Sequence, residues 1–260
     1  MDDRALTIVE HLGELRRRLI YIILAVCVSS LVAYLFNDEI LKFIMKTGRI
    51  QNLVFIKPME AFFVVMKLSF LIGIVGAMPV ILYQAWKYVG VALKKKERKY
   101  LIYFGPFSYL LFMAGAALAF LGVMPLAVKF LLSFAKENVQ ALITLDAYLS
   151  FLNNMILAFG LVFQLPLVVL LLSLLGILTP AMMKKSRKFA IVGIFVFAAF
   201  ITPTTDAVSM MMLAGPVMLL YEISVLICKG VARKRGRIEP EEEEPKDETS
   251  YDEGPETDEV

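Results

Sequence analysis

Uncharged apolar runs and short clusters of cations alternate along the chain. Residues 19–36, 68–86, 100–128, 147–183, 189–205 and 207–221 contain no Asp, Glu, Lys or Arg, and the last run resumes after Glu222 as far as Cys228. A helix needs about 20 apolar residues to cross roughly 30 Å of hydrocarbon, and the first four runs are long enough. The fifth and sixth are separated by "ITPTTDA" (201–207), a Pro/Thr/Asp turn of the kind that joins antiparallel helices. The pattern predicts an all-α polytopic membrane protein of six transmembrane helices. The fifth, counted from Phe189 to Ile201, has 13 residues. That is about 20 Å of helix, so short fifth and sixth helices are expected to thin the bilayer or sit shallowly in it. No internal repeat is visible, which argues against a transporter built from two related halves.

Charge sets the orientation. Twenty of the 27 Lys and Arg side chains fall in the N-terminal segment, residues 87–99, residues 184–188 and the C-terminal segment; the other seven lie in 37–67 and 123–150. Loops rich in Lys and Arg stay inside, so both termini are expected to be cytoplasmic and the protein to reside in the cell membrane. Composition agrees, with 59% apolar and 20% charged residues and a mean hydropathy of +0.72. The formal net charge of +3 hides a division. Residues 239–260, "EPEEEEPKDETSYDEGPETDEV", hold 12 of the 24 acidic side chains and one of the 27 basic ones. A stretch with so few apolar groups does not offset its ordering entropy, and a disordered cytoplasmic tail is expected after a membrane domain of residues 1–238. The N-terminal apolar run lacks a small-x-small cleavage site and reads as a retained span. Cys27 and Cys228 each lie in apolar runs and suggest two separate thiols rather than a disulfide framework.

Catalytic chemistry finds no support. His11 is the sole histidine, and neither a G-x-S-x-G nor a P-loop pattern occurs. The chain reads as a non-enzyme with no cofactor and no metal. Polar residues in costly places remain. Glu14 lies in "HLGELRRRL" (11–19) and Glu97 in "ALKKKERKYL" (92–101). Solvated ion pairs on an interfacial helix account for either, the Glu14–Arg18 pair being worth a few tenths of a kcal/mol, roughly. Gln164 sits inside a span just before Pro166, and Glu222 interrupts the last one within snorkelling reach of Lys229. Asp206 stands alone in the 201–207 turn.

These segments together resemble TatC, the polytopic core of the twin-arginine protein translocase. The resemblance rests on "HLGELRRRL", "KPMEAFFVVMKLSF", "YQAWKYVGVALKKKERKYL", "YLSFLNNMILAFGLVFQLP" and "ITPTTDAVSMMMLAGPVMLLYE", in that order, and runs from about residue 7 to 235. It implies recognition of twin-arginine signal peptides on folded cargo, recruitment of single-span TatA-type and TatB-type partners, self-association in the complex, and transport driven by the proton-motive force. The family's recognition residues fall on Glu14, Arg16 and Glu97. Charge physics agrees: a cationic peptide is repelled by a net-positive face, so binding must rest on local carboxylates, which accept the two-pronged hydrogen bond of a guanidinium. The resemblance also implies partner-contact or intramembrane polar roles for Gln164, Asp206, Pro58, Glu60 and Glu222, with cap packing an equal alternative for Pro58 and Glu60. Three departures stand out. Gln164 replaces a glutamate common in the family, "TPTTD" is a residue longer than the usual turn, and Met210 follows Ser209 where glutamine is frequent. Two rivals stay open, a small-molecule or ion transporter using polar groups near the bilayer midplane, with Gln164 the best candidate, and a lipid-interacting scaffold without a substrate.

Overall fold

The computed structural model describes residues 8–48, 53–90, 100–133, 143–202 and 207–234. Glu97, Asp206 and the acidic tail lie outside the described residues. Helix α1 (Ile8–Leu35) opens the chain, followed by α2 (Asn37–Gly48). Helix α3 (Pro58–Val89) begins well before its apolar run. Pro58 occupies its first turn, where a missing N–H costs nothing. Glu60 Oε2 accepts from the Ile56 and Lys57 backbone N–H groups, at 2.9 and 3.3 Å, and so satisfies donors just ahead of the helix.

Two proline positions shape the next rods. Helix α4 (Tyr100–Ala117) runs through a π-helical turn (Leu118–Val123) into α5 (Met124–Leu132). In that turn the Met124 N–H reaches back to the Ala119 carbonyl, and Pro125 has no N–H to offer Leu121. Helix α6 (Leu145–Val162) is capped by Thr144, whose hydroxyl accepts from the Ala147 N–H at 3.2 Å. It breaks at Phe163 and Gln164 before α7 (Leu165–Leu175), because Pro166 cannot donate to the Val162 carbonyl. Gly176, at φ 75°, ends α7 in the left-handed conformation that glycine adopts without strain. Helices α8 (Pro180–Lys185), α9 (Arg187–Ile201) and α10 (Ala207–Lys234) complete the described chain.

Among the described residues, five segments are long and apolar enough to cross a bilayer: Leu12–Leu35, Pro58–Val89, Phe104–Leu132, Leu145–Leu175 and Met210–Arg233. The fifth apolar run forms α9, whose 15 residues reach about 22 Å, below the hydrocarbon thickness. The expected short sixth helix is corrected: α10 has 28 residues, about 42 Å. Glu222 interrupts the uncharged run without interrupting the helix, glutamate being a good helix former, and its Oε2 accepts from Arg187 Nη2 at 2.8 Å. Bilayer thinning by a pair of short helices therefore finds no basis in α10.

Helix α2 was not anticipated. Its Ile40, Leu41 and Ile44 pack on the core, while Asp38 and Glu39 in the first turn and Lys46 in the last complement the helix dipole. Two-residue strands, β1 (Leu53–Val54) and β2 (Ile143–Thr144), pair in parallel and tie together the segments that lead into α3 and α6.

Helix α1 lies along α3, α4 crosses α6, and α10 packs on both α7 and α9. Hydrocarbon solvates apolar side chains as well as protein does, so such contacts depend on close fit. Gly115 and Gly160 provide it between α4 and α6. A Cβ on Gly115 would come 2.7 Å from the Phe159 carbonyl oxygen, and one on Gly160 would come 2.7 Å from Phe112 Cδ2. Phe112, Leu149, Leu152, Met155 and Phe159 are buried around that contact. In contrast, Leu19, Ile23, Leu24, Val28 and Leu31 leave one side of α1 open to its surroundings.

Over-packing the α4–α6 contact should be costly. Gly160→Val is expected to lower stability by about 1–3 kcal/mol or more, read as a lower midpoint of thermal unfolding in detergent. Gly193→Ala on α9, where an added Cβ meets nothing within 4 Å, should leave the midpoint unchanged or raise it.

Candidate functional site

The start of α1 meets the end of α3, and polar side chains of both helices face one cleft. It is a half-open groove of about 430 Å³ lined by Glu14, Arg17, Arg18, Tyr21, Gln84 and Lys87. Helical spacing places Glu14, Arg18 and Tyr21 on neighbouring turns of one face. Arg18 donates from Nε to Glu14 Oε1 at 3.1 Å, and Nη2 pairs with the same oxygen. Its Nη1 turns to α3 and donates to Gln84 Oε1 at 3.2 Å. The Arg18 side chain is 9% exposed and that of Glu14 27%. A nearly buried guanidinium thus fixes a carboxylate that still reaches solvent. A carboxylate has lone-pair sites for several donors, so Glu14 can take a second cation beside Arg18 or exchange one for the other.

The other cations of the cleft are held differently. Arg17 stands 6.0 Å above the Tyr21 ring and Lys87 5.7 Å from the Tyr83 ring centroid, a contact that attracts a cation without neutralising it. Arg16 is exposed and does not line the cleft. Sequence reasoning singled out Glu14 and Arg16 but missed Gln84, the acceptor that orients Arg18. Its signal was an amide at the end of the second apolar run. The residues that include Glu97 connect Gly90, at the end of α3, to Tyr100, at the start of α4.

Gln164 belongs to a separate cluster. Its Nε2 donates to the Ser108 carbonyl at 2.9 Å, and Trp86 Nε1 donates to Ser108 Oγ at 3.0 Å. Gln164 Oε1 is buried with no hydrogen-bond partner among the described residues. The kink between α6 and α7 therefore ties back to α4 while leaving one buried acceptor unpaired. This group does not converge with Glu14.

The remaining polar residues join helices. At the far end of α3, Glu60 Oε1 accepts from the Asp146 N–H at 3.3 Å, and Lys67 Nζ lies 2.5 Å from Asp146 Oδ1 and 3.0 Å from Ser150 Oγ. Asn153 Nδ2 adds a bond to the Lys67 carbonyl at 3.4 Å. Pro58 and Glu60 thus sit beside a polar knot between α3 and α6. Lys67 and Asp146 escaped notice because each borders an apolar run and served only to mark its end. Glu222 pairs with Arg187 rather than Lys229, and the Tyr221 hydroxyl donates to the Met183 carbonyl at 2.7 Å, so α10 is bound to both α8 and α9.

Arg18→Met would strip Glu14 and Gln84 of their shared donor. Charge-assisted hydrogen bonds contribute about 1.5–3 kcal/mol each, so a loss of that order is expected in denaturant unfolding in mixed micelles. Arg16→Gln, on the exposed side, should stay within about 0.5 kcal/mol of the parent.

Known proteins resemble this chain in both sequence and fold. The family model for the Sec-independent protein translocase protein (TatC) matches residues 10–216. The TatC protein of Carboxydothermus hydrogenoformans is 38% identical over 236 residues, covering 90% of this chain and 97% of the relative. That of Aquifex aeolicus is 39% identical, covering 88% and 98%. A crystal structure described as the twin arginine translocase receptor TatC superposes with a TM-score of 0.78 at 37% identity, covering 86% of this chain and all of the other.

Proposed function

The chain belongs to the TatC family, multi-pass membrane components of the Sec-independent protein translocase rather than enzymes, and from that premise we propose that it is the receptor for twin-arginine signal peptides of folded cargo. Glu14 and Glu97 hold the arginine pair at the cytoplasmic face, with Arg16 beside them, while the apolar part of the peptide lies along the spans. The observation that carries this reading is the Glu14 carboxylate, 27% exposed on the wall of a cleft that three cations also line. Arg18 and Gln84 keep it from swinging, so an arriving guanidinium meets a fixed acceptor and loses less freedom on binding.

Both termini are cytoplasmic in this proposal, and residues 1–238 form a membrane domain of six spans with α9 the fifth. Residues 239–260 are a solvated appendage whose removal leaves the Arg-Arg preference intact. TatA-type and TatB-type single-span subunits are the partners, further copies of the chain join them in the complex, and the proton-motive force drives transport. Gln164, at the α6–α7 kink, is proposed as a partner contact; its Oε1 is unpaired but buried, so a hydroxyl or amide donor reaches it only when the helices around the kink part. Asp206, Pro58, Glu60 and Glu222 are proposed as further partner-facing positions, although Glu60 and Glu222 also hold helices together.

The test is binding of a twin-arginine signal peptide to the full chain in nanodiscs, beside a Lys-Lys version. Wild type should prefer Arg-Arg, and Glu97→Gln and Glu14→Gln should each weaken binding by roughly 10- to 100-fold, the equivalent of one lost charge-assisted bond. Equal binding of both peptides by wild type, with a TatB-type subunit also present, would overturn the receptor assignment.

A further inference from the structure

The cleft between α1 and α3 holds more positive charge than its own residues neutralise. Glu14 and Gln84 occupy Arg18, which leaves Arg17 and Lys87 as exposed cations whose described partners are tyrosine rings. Among the described residues neither forms an ion pair with a carboxylate. Both line the same half-open cleft, which leaves room for a headgroup to approach from the side. Hydrogen-bond donors stand beside them. Tyr21, which carries a hydroxyl, lines the cleft, and the Gln84 amide, having given its oxygen to Arg18, still carries N–H donors.

The surroundings narrow the choice of ligand. The cleft opens at the point where α1 passes from "RRR" (16–18) into its apolar run. Immediately beyond it, Leu19, Ile20, Ile23 and Leu24 are exposed on the same helix. Cations above a lipid-facing apolar strip match a molecule with an anionic head and an apolar tail. We infer that the α1–α3 cleft seats the phosphate of an anionic phospholipid, with Arg17 and Lys87 as its two cationic contacts and its acyl chains along α1. The seat uses neither Glu14 nor Glu97 as a ligand and does not rest on the signal-peptide reading. It does bear on that reading, because a seated phosphate cancels positive charge beside Glu14 and lowers the repulsion met by a second cationic molecule.

The experiment embeds the full chain in nanodiscs of phosphatidylcholine with a minor fraction of phosphatidylglycerol, and counts lipids retained after release by native mass spectrometry. Wild type should retain phosphatidylglycerol in preference to phosphatidylcholine. Each cation near a membrane surface contributes about 1 kcal/mol, so Arg17→Gln with Lys87→Gln should cut that retention by roughly 10- to 30-fold. The control removes equal charge elsewhere, Lys185→Gln with Lys188→Gln, and should leave retention near wild type. Thermal unfolding of each variant confirms that the fold is kept. Glu14→Gln removes a carboxylate from the cleft and should hold or raise retention while it weakens peptide binding, which separates this proposal from the previous one. Equal losses in the two cation pairs, or no preference in wild type, would overturn the seat. Displacement of the retained lipid by soluble glycerol phosphate would identify a free-phosphate site and overturn the lipid assignment.

Discussion

Two glycines facing two phenylalanines hold α4 and α6 at one separation, and the polar interior follows from that separation. Gly115 lies under the Phe159 backbone and Gly160 under the Phe112 ring, so any larger side chain at either position would push the helices apart. At this distance the Gln164 amide reaches the Ser108 carbonyl, and the Ser108 hydroxyl receives the Trp86 indole. In a bilayer the apolar effect gives little preference for helix over lipid, so fit and internal hydrogen bonds must supply the specificity. The chain Trp86–Ser108–Gln164 joins α3, α4 and the α6–α7 kink, and its Gln164–Ser108 bond spans the α4–α6 contact.

The charged side chains of the helices either fasten one helix to another or present an acceptor. The Lys67–Asp146 pair links α3 to α6, and Arg187–Glu222 links α9 to α10. Lys67, Asp146 and Arg187 are half-buried and Glu222 is exposed, and each pair aligns the two helices that it joins. Arg18 and Glu14 differ. Both lie on α1, the guanidinium is nearly buried, and its third contact is to α3. The result is a carboxylate of fixed position within a cationic rim, able to accept a charge-assisted hydrogen bond.

The same arrangement divides labour within one cleft. Arg18 is consumed in holding Glu14, whereas Arg17 and Lys87 rest on tyrosine rings that leave their charge available. Anion and cation sites can therefore stand side by side without cancelling each other. Neighbouring apolar residues of α1 remain exposed for lipid or peptide to cover.

Much of this was legible in the residues themselves. Uncharged runs located the long helices, because burying a charge in hydrocarbon is expensive and a gap of about 20 residues without one marks a stretch able to lie there. The short fifth helix could be counted, and the kink at Gln164 could be placed from Pro166, since a proline removes a backbone donor wherever it stands. The segments carrying the family resemblance pointed to Glu14. What failed was the use of charges as boundaries. Helix α10 runs on beyond Cys228, where the apolar pattern stops, to Lys234; Lys67 and Asp146 are partners rather than borders, and α2 was too short and too charged to register as an element. For the two ion pairs the cause is the same: a charge is tolerated inside a helix when a side chain from another helix neutralises it. That partner lies 35 residues away for Arg187 and Glu222, and 79 for Lys67 and Asp146. Local sequence therefore determined where helices form, through the cost of desolvating charge. Only tertiary packing decided which charges are paired, and with which partner, because those partners lie far apart along the chain.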